Sequence, residues 1–189
     1  MGQCAQAAVS TGIPAGLPVA TPDGWVRAGA LQVGEAVLCV DAPPQPIMTR
    51  RIAVLPCALL VRLPAGALGE HGLLLLPPDQ PVALDLDAAA DLYGDPVVLL
   101  PAGALVGWRG IARRRVTEAA LVTLGFDRRQ VVYAGPGMLL GCPGPAASVL
   151  RAEGPPAPPL TAPQARHLLA CVMAADVGAA LQPRPYATF

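Results

Sequence analysis

The stretch Gly12-Ile13-Pro14-Ala15-Gly16-Leu17-Pro18-Val19-Ala20-Thr21-Pro22 decides how this chain folds. Its two glycines allow the backbone to bend, and its inner prolines hold φ in the extended range. The apolar run from Val19 to Thr21 begins a strand, and Pro22-Asp23-Gly24 then forms a tight turn. The stretch therefore predicts a chain that enters a β-rich domain.

Composition limits the classes of function that remain. The chain has 189 residues, of which 53% are hydrophobic and 14% charged, and its formal net charge is zero. A net charge of zero gives no sign of the basic surface that nucleic acid requires, so we expect no nucleic-acid partner. No apolar run approaches the ~20 residues that cross a bilayer, and no signal peptide pattern opens the chain. We therefore expect no membrane span and a cytoplasmic location.

The cysteines and histidines predict neither a disulfide framework nor a metal site. The five cysteines are an odd number without a CxxC pair, which favours free thiols in a reducing compartment. We expect Cys39, Cys57 and Cys142 to be buried among strands. His71 and His167 are too few for zinc, and His71 follows Glu70 in a predicted solvated turn. No metal and no cofactor is expected.

Short apolar runs punctuated by glycine and proline predict an all-β domain from Gly12 to about Gly144. One short helix is predicted at Asp87–Tyr93, with Asp87 as its N-cap and Gly94 at its end. Asp127-Arg128 is predicted to form a hairpin turn. The predicted strands are Leu17–Thr21, Trp25–Arg27, Glu35–Val40, Gln45–Thr49, Leu59–Leu63, Leu73–Leu76, Val82–Leu84, Pro96–Leu100, Gly110–Arg114, Ala119–Phe126, Gln130–Tyr133 and Met138–Leu140.

The two ends of the chain differ from this central domain. Residues 1–11 are predicted to be a loosely held arm, and residues 145–163 a proline-rich linker. Residues 164–189 hold a predicted helix, Ala165–Leu181, and a tail. The helix is apolar on most of its circumference, so it packs either into a groove of its own domain or against another subunit. We expect it to bind a protein partner or a second copy, and the predicted partner-binding residues are Leu168, Leu169, Val172 and Met173.

Several motifs in the central domain resemble those of the bacterial branch of the Hint (Hedgehog/intein) family. The opening stretch is similar to the family's "Gly-Thr-x-Val-Ala-Thr-Pro" block, and Leu31–Leu38 resembles its "L-x-x-G-D-x-V-L". Phe126–Ala134 looks like "F-D-R-H-E-V-V-F-A". The sequence Leu-Pro-Ala-Gly-Ala-Leu occurs at both 63–68 and 100–105. The resemblance implies an all-β Hint-like fold with pseudo-twofold related halves, followed here by a C-terminal helix.

The resemblance also implies where self-processing chemistry would occur. In active members a cysteine attacks its own preceding peptide bond, and a histidine polarises that bond. The family's nucleophile falls on Gly12, its hydroxyl residue on Pro77, its histidine on Gln80 and a further histidine on Arg129. Because glutamine does not exchange protons near neutral pH, the sequence predicts a catalytically silent domain that is not an enzyme.

Two other functions remain open at the level of sequence. Ser10 or Thr11 could serve as a non-standard nucleophile, which would make the chain a self-cleaving domain. The arginine clusters Arg113–Arg115 and Arg128–Arg129 could instead bind an acidic partner in a sensor or adaptor. Because the family's reactive residues are replaced, we predict a structural or binding module within a larger assembly.

Overall fold

The computed structural model describes residues 10–135, 137–144 and 157–181, with side chains as far as Asp176. It contains fourteen strands, two α-helices and a 3₁₀ turn at Ala102–Leu105. The helices are α1 (Asp87–Tyr93) and α2 (Ala162–Leu181). The strands are β1 (Ile13–Pro14), β2 (Pro18–Thr21), β3 (Gly24–Arg27), β4 (Ala36–Cys39), β5 (Ala42–Pro46), β6 (Thr49–Pro56), β7 (Leu59–Leu63), β8 (Leu74–Leu76), β9 (Pro81–Asp85), β10 (Val97–Pro101), β11 (Ala112–Arg115), β12 (Glu118–Gly125), β13 (Gln130–Tyr133) and β14 (Leu139–Cys142).

These strands form four sheets around one main core. The largest sheet has the order β10-β9-β14-β13-β4-β5, and two three-stranded sheets have the orders β1-β12-β6 and β11-β7-β8. β2 and β3 form a separate hairpin. Every one of these strand pairs is antiparallel. The main core draws buried side chains from all four sheets and from both helices, so the prediction of an all-β domain with a C-terminal helix is confirmed.

The opening stretch adopts the conformation that its residues predict. β2 pairs with β3 so that Thr21 lies opposite Gly24, which leaves Pro22-Asp23 as a two-residue turn. The hydroxyl of Thr21 donates a hydrogen bond to the Gly24 carbonyl at 2.7 Å and closes that turn. Ahead of the hairpin, β1 pairs with the middle of β12. The stretch therefore connects two sheets.

The prediction was least accurate between residues 42 and 56. A single strand was predicted at Gln45–Thr49, whereas β5 ends within that segment at Pro46 and the eight-residue β6 begins at its last residue, Thr49. β5 holds three prolines and lies at the edge of its sheet, where a missing N–H donor is tolerated. β6 was missed because Arg50 and Arg51 interrupt the alternation of apolar and polar residues.

The Asp127-Arg128 segment is a connection between sheets, so the predicted hairpin is wrong. β12 pairs with β1 and β6, while β13 pairs with β14 and β4. The two strands flanking Asp127-Arg128 therefore never face each other. Sequence proximity and turn-forming residues suggested a pairing that the sheet topology does not contain.

Helix α1 begins and ends as predicted, with a different N-cap. Gly94 has φ of 76°, the left-handed conformation that ends helices, and its N–H bonds to the Ala90 carbonyl. The N-cap is Leu86, which makes no side-chain cap. Asp87 lies instead in the first turn, where its charge suits the positive end of the helix.

Helix α2 begins at Ala162, three residues before the predicted start. The Gln164 side chain accepts a hydrogen bond from the Thr161 N–H at 2.9 Å, which is half of a capping box. Just before the helix, the Leu160 N–H bonds to the Leu99 carbonyl in β10 at 2.8 Å. The predicted linker therefore ends against the sheet, and its residues 145–156 lie outside the described part, as do residues 1–9 of the predicted arm.

The first half of α2 packs against its own domain. Ala165, Leu168 and Leu169 belong to the main core, and the helix contacts α1, β10 and the 3₁₀ turn. Of the four predicted partner-binding residues, Leu168 and Leu169 are buried in this intramolecular contact and Val172 is half-buried. Met173 alone of the four is exposed, at 43%. The two leucines therefore occupy a groove of their own domain.

The two copies of Leu-Pro-Ala-Gly-Ala-Leu lie at matching positions in the fold. The first copy begins at the last residue of β7, which pairs with β8. The second copy begins near the end of β10, which pairs with β9. The turn Pro77–Gln80 joins β8 to β9 between them. The first copy continues into a turn in which the Ala67 N–H bonds to Pro64, and the second into the 3₁₀ turn. The repeated sequence therefore marks two similar strand-to-turn units on either side of one central turn.

Candidate functional site

Gly12 lies immediately before β1, where the close approach of β12 leaves little space for a side chain. Its φ is 150°, in the range that L-residues with a side chain rarely adopt. A Cβ atom at this position would lie 3.1 Å from Cβ of Leu121 and 3.5 Å from the carbonyl oxygen of Val122, both in β12. The backbone of residue 12 is thus pressed against the neighbouring strand, and the site has no room for a larger residue without a local shift.

Gln80 is the partner of Gly12. Its side-chain Oε1 accepts a buried hydrogen bond from the Gly12 N–H at 2.9 Å. Its Nε2 donates to the carbonyl of Gly141 at 2.8 Å and to that of Pro81 at 3.1 Å. With 2% of its surface exposed, Gln80 joins the entry of β1 to β14 and β9 inside the protein.

The backbone around Gln80 is held as firmly as its side chain. The Gln80 N–H closes the turn by bonding to the Pro77 carbonyl at 3.1 Å, and the Gln80 carbonyl accepts from Ala102 at 2.9 Å. On the other side of the turn, the Gly103 N–H bonds to the Pro78 carbonyl at 2.6 Å. Pro77 itself is buried. The turn between β8 and β9 is therefore fixed to the strand-to-turn unit that contains the 3₁₀ turn.

The two predicted non-standard nucleophiles lie beside this network. Ser10 is exposed and Thr11 is half-buried. The Ser10 carbonyl accepts a hydrogen bond from the Asp79 N–H at 3.0 Å, so the two residues meet through their backbones. Asp79 is exposed in the turn. The structure thus brings Gly12 and Gln80, the positions that the resemblance matches to the family's nucleophile and histidine, into direct contact, with Ser10 and Asp79 beside them.

The arrangement limits the chemistry of this centre. A carboxamide is neutral and neither gives up nor takes on a proton near neutral pH. Each polar atom of the Gln80 side chain already has a protein partner. Gly12 contributes a backbone N–H and no side chain. The described contacts between Gly12 and Gln80 therefore stabilise the fold and contain no nucleophile and no acid–base pair.

Arg129 and His71 differ in how far they are buried. Arg129 is half-buried between β12 and β13, and its backbone nitrogen would be 2.8 Å from a Cβ built on Gly144. His71 is exposed in a bend, which agrees with the predicted solvated turn.

Glu70 is a buried acid that the sequence did not reveal. Only 5% of its surface is exposed, and Oε2 accepts a hydrogen bond from the Leu68 N–H at 2.7 Å. Its carbonyl accepts from Gly66 at 2.7 Å, so the residue closes the loop that follows β7. One feature of the sequence could have indicated this burial. Glu70 is a lone acid close after the Ala-Gly-Ala-Leu turn, where its side chain can accept hydrogen bonds from the N–H groups of that turn.

The cysteines follow the prediction at two of three positions. Cys39 and Cys142 are buried, whereas Cys57 is exposed, so its predicted burial is wrong. Cys57 follows β6 with φ of 52°, in a turn that carries it out of the sheet. Burial raises the pKa of Cys39 to about 11, against a smaller opposing effect of a Gln45 backbone hydrogen bond. Burial, with a smaller contribution from nearby Cys39, raises the pKa of Cys142 to about 12.

These differences predict the order in which the thiols react. At pH 8, an excess of iodoacetamide should alkylate Cys57 at least tenfold faster than Cys39 or Cys142, because the thiolate is the nucleophile and both buried thiols stay protonated. Peptide mass spectrometry at timed intervals measures each rate. In denaturant the three rates should converge. Native labelling of Cys142 as rapid as that of Cys57 would contradict the burial of β14.

The described residues contain no group of three or more His, Cys, Asp or Glu side chains that could hold a metal ion. A pocket of about 230 Å³ opens beside β9, β10 and β13. Apolar residues such as Leu99, Val131 and Leu139 line it together with Asp41 and Arg128. Gly12 and Gln80 are not among its lining residues, so the pocket is separate from the position of the family's active centre.

Comparison with known proteins identifies the family. Residues 13–138 match the Hint domain, and because the match covers more than half of the chain, this protein belongs to the Hint domain family. The family recognised from the sequence motifs is therefore confirmed. A search of curated proteins gave no significant match.

Solved structures similar to this chain include several inteins. The MchDnaB-1 intein is 18% identical, with a TM-score of 0.44 over 68% of this chain and 98% of its own. The Msm DnaB1 intein splicing domain bound with zinc is 16% identical, with a TM-score of 0.45 over 69% of this chain and 98% of its own. The TvoVMA intein is 11% identical, with a TM-score of 0.44 over 70% and 97%.

No helix in the described segments is long and apolar enough to cross a membrane.

Proposed function

We propose that this Hint domain does not process itself and acts as a structural or binding module within a larger protein assembly. The observation that carries the proposal is the hydrogen bond from the Gly12 N–H to Gln80 Oε1. This bond joins the two positions where the family resemblance places a nucleophile and a histidine, and in this chain they hold a glycine and a carboxamide. Self-cleavage needs both a nucleophile and a proton donor for the leaving nitrogen, and these two residues supply neither.

The way the site is packed supports the same proposal. Gln80 uses its amide to connect three segments, and Gly12 lies where a Cβ would press on Leu121. Both residues thus suit a stable fold. A domain that keeps its architecture without these reactive groups is available as a scaffold, whose surfaces then determine its function.

Self-cleavage through Ser10 or Thr11 is the alternative. A hydroxyl needs an adjacent base before it attacks a peptide carbonyl. The contact between Ser10 and Asp79 runs through the backbone, with the Ser10 carbonyl as acceptor. This geometry gives the alternative no support. Measuring the intact mass of the purified protein distinguishes the two functions.

We expect purified protein to keep its full mass after expression and after prolonged incubation with a strong thiol nucleophile. Gly12→Cys should also remain uncleaved, because Gln80 cannot protonate the leaving nitrogen. Intact-mass spectrometry measures both, and a Ser10→Ala, Thr11→Ala double variant provides the control for the alternative. A fragment that begins at residue 10 or 11 in the parent and disappears in the double variant would contradict the proposal.

The proposed partner contact uses the exposed part of α2. Met173, Ala174, Ala175 and Asp176 are consecutive and all exposed, so this turn of the helix has no cover from the described domain. The three apolar residues of this turn, Met173 to Ala175, lie beyond the helix's own core and fit a protein partner or a second copy better than water. No cofactor is part of the proposal.

A further inference from the structure

The outer edge of β6 is the longest unprotected strand edge in the described structure. β6 holds eight residues and pairs on one side with β12 only. Among the described residues, none contributes a backbone hydrogen bond to its other side. Ile52 and Val54 are 47% and 58% exposed, and they lie on one face because alternate residues of a strand point the same way.

The other edges of the three larger sheets are short, charged, proline-rich or covered. β11 presents three consecutive arginines, and β5 contains three prolines. At the edge of β10, the Leu99 carbonyl accepts a hydrogen bond from the segment that leads into α2. β1 and β8 have two and three residues. These features are the usual means by which sheets avoid edge-to-edge association. In β6, by contrast, the residues from Ile52 to Pro56 carry no charge.

The sequence of β6 is complementary to itself in the antiparallel direction. About a two-fold axis at Ala53, Ile52 of one copy lies opposite Val54 of the other, and the reverse pair forms by symmetry. The two exposed β-branched side chains of each copy then cover those of its partner. Arg51 of one copy lies opposite Leu55 of the other, which keeps like charges apart.

The charges at the two ends of β6 favour the same direction. Arg50 and Arg51 lie at its N-terminal end, while Pro56 at its C-terminal end pairs with Glu118 of β12. Antiparallel association brings the arginines of one copy to the end that carries Glu118 of the other. Parallel association would instead bring four arginines together, which costs free energy.

We propose that the outer edge of β6 is an interface between two copies of this chain, joined antiparallel through residues 50–56 about an axis at Ala53. The two β12-β6 ribbons then form one continuous sheet across the dimer. The interface concerns assembly, and it holds whether or not the domain processes itself.

The first test compares two valines of nearly equal exposure. Val54→Lys puts a charge at the centre of the interface, and Val33→Lys puts the same charge in the Gln32–Gly34 turn, where Val33 is 60% exposed. Sedimentation velocity from micromolar to hundreds of micromolar protein should give a concentration-dependent dimer for the parent and for Val33→Lys. For Val54→Lys the dissociation constant should rise at least tenfold. A parent that stays monomeric throughout, or a Val54→Lys dimer as tight as the parent, overturns the proposal.

A second test determines the register without relying on loss of association. In a Cys57→Ser background, Ala53→Cys should form an intermolecular disulfide under mild oxidation, because the two copies of residue 53 meet at the axis. Thr49→Cys, at the end of the same strand, should not link to its own copy. Non-reducing electrophoresis with peptide mapping measures both. Equal cross-linking of the two variants overturns the antiparallel pairing about Ala53.

Discussion

Replacing Gln80 by leucine is expected to lower the free energy of unfolding by about 2–5 kcal/mol, since it leaves two buried backbone groups without partners. The N–H of Gly12 loses its acceptor, and the carbonyl of Gly141 loses its donor. Leucine has a volume close to that of glutamine, so the loss reports on hydrogen bonding more than on packing. Urea denaturation followed by circular dichroism measures it.

Gln45→Leu is the matched control for this experiment. The Gln45 side chain makes one exposed hydrogen bond to the Pro43 carbonyl at 2.9 Å, so its removal should change the free energy of unfolding by less than about 0.5 kcal/mol. Gln80→Glu gives a further check, because it places a carboxylate opposite the carbonyls that Nε2 now contacts. Its stability should fall as pH rises through the titration of the new carboxyl group. Equal stability of Gln80→Leu and Gln45→Leu would contradict the buried network.

Leu168→Asp is expected to destabilise the whole domain by at least about 4 kcal/mol, because it puts an unpaired charge in the main core. Leu168 has no exposed surface and packs with residues of the β-sheets in one cluster. The β-structure should unfold at a lower temperature, and the helix signal should be lost as well. Circular dichroism at helix and sheet wavelengths during thermal unfolding separates the two signals.

Met173→Asp, five residues further along the same helix, is the control. Met173 is 43% exposed, so the new charge stays in water and the thermal midpoint should match that of the parent. If α2 were only a docking element for a partner, Leu168→Asp would leave the β-domain as stable as Met173→Asp does. That result would show that the contacts of α2 with β10 and α1 add nothing to the fold.

The positions of the candidate site were predictable from local sequence, but its structural role was not. The resemblance of the opening stretch and of the Pro-Pro-Asp-Gln turn to motifs of the Hint family is what identified Gly12 and Gln80. That Gln80 Oε1 contacts the Gly12 N–H depends on a pairing across 68 residues of chain. No local pattern specifies such a distance, because the contact exists only when β1 docks on β12 and the Pro77–Gln80 turn docks on the 3₁₀ turn.

The burial of two side chains near strand ends, Cys57 and Glu70, did not follow from the sequence, for one physical reason. Cys57 was predicted to be buried because it adjoins apolar residues, yet it turns outward with φ of 52° after β6. No burial was predicted for Glu70 beside the solvated His71, yet it folds inward to accept N–H groups of its own loop. Burial of a single side chain at a strand end depends on the direction in which the chain leaves the sheet, and residue type alone does not determine that direction.

The sequence by itself determined the family, the β-rich class, most strand positions and the start of α1, because these depend on residue types a few positions apart. Only the tertiary structure decided which strands pair, that Leu168 and Leu169 lie in the domain's own core, and that no described strand pairs with the outer edge of β6. Strand pairing is a contact between distant segments, and many pairings satisfy the same alternation of residues. The geometry of the closed core selects one of them, and with it the surfaces that remain for a partner.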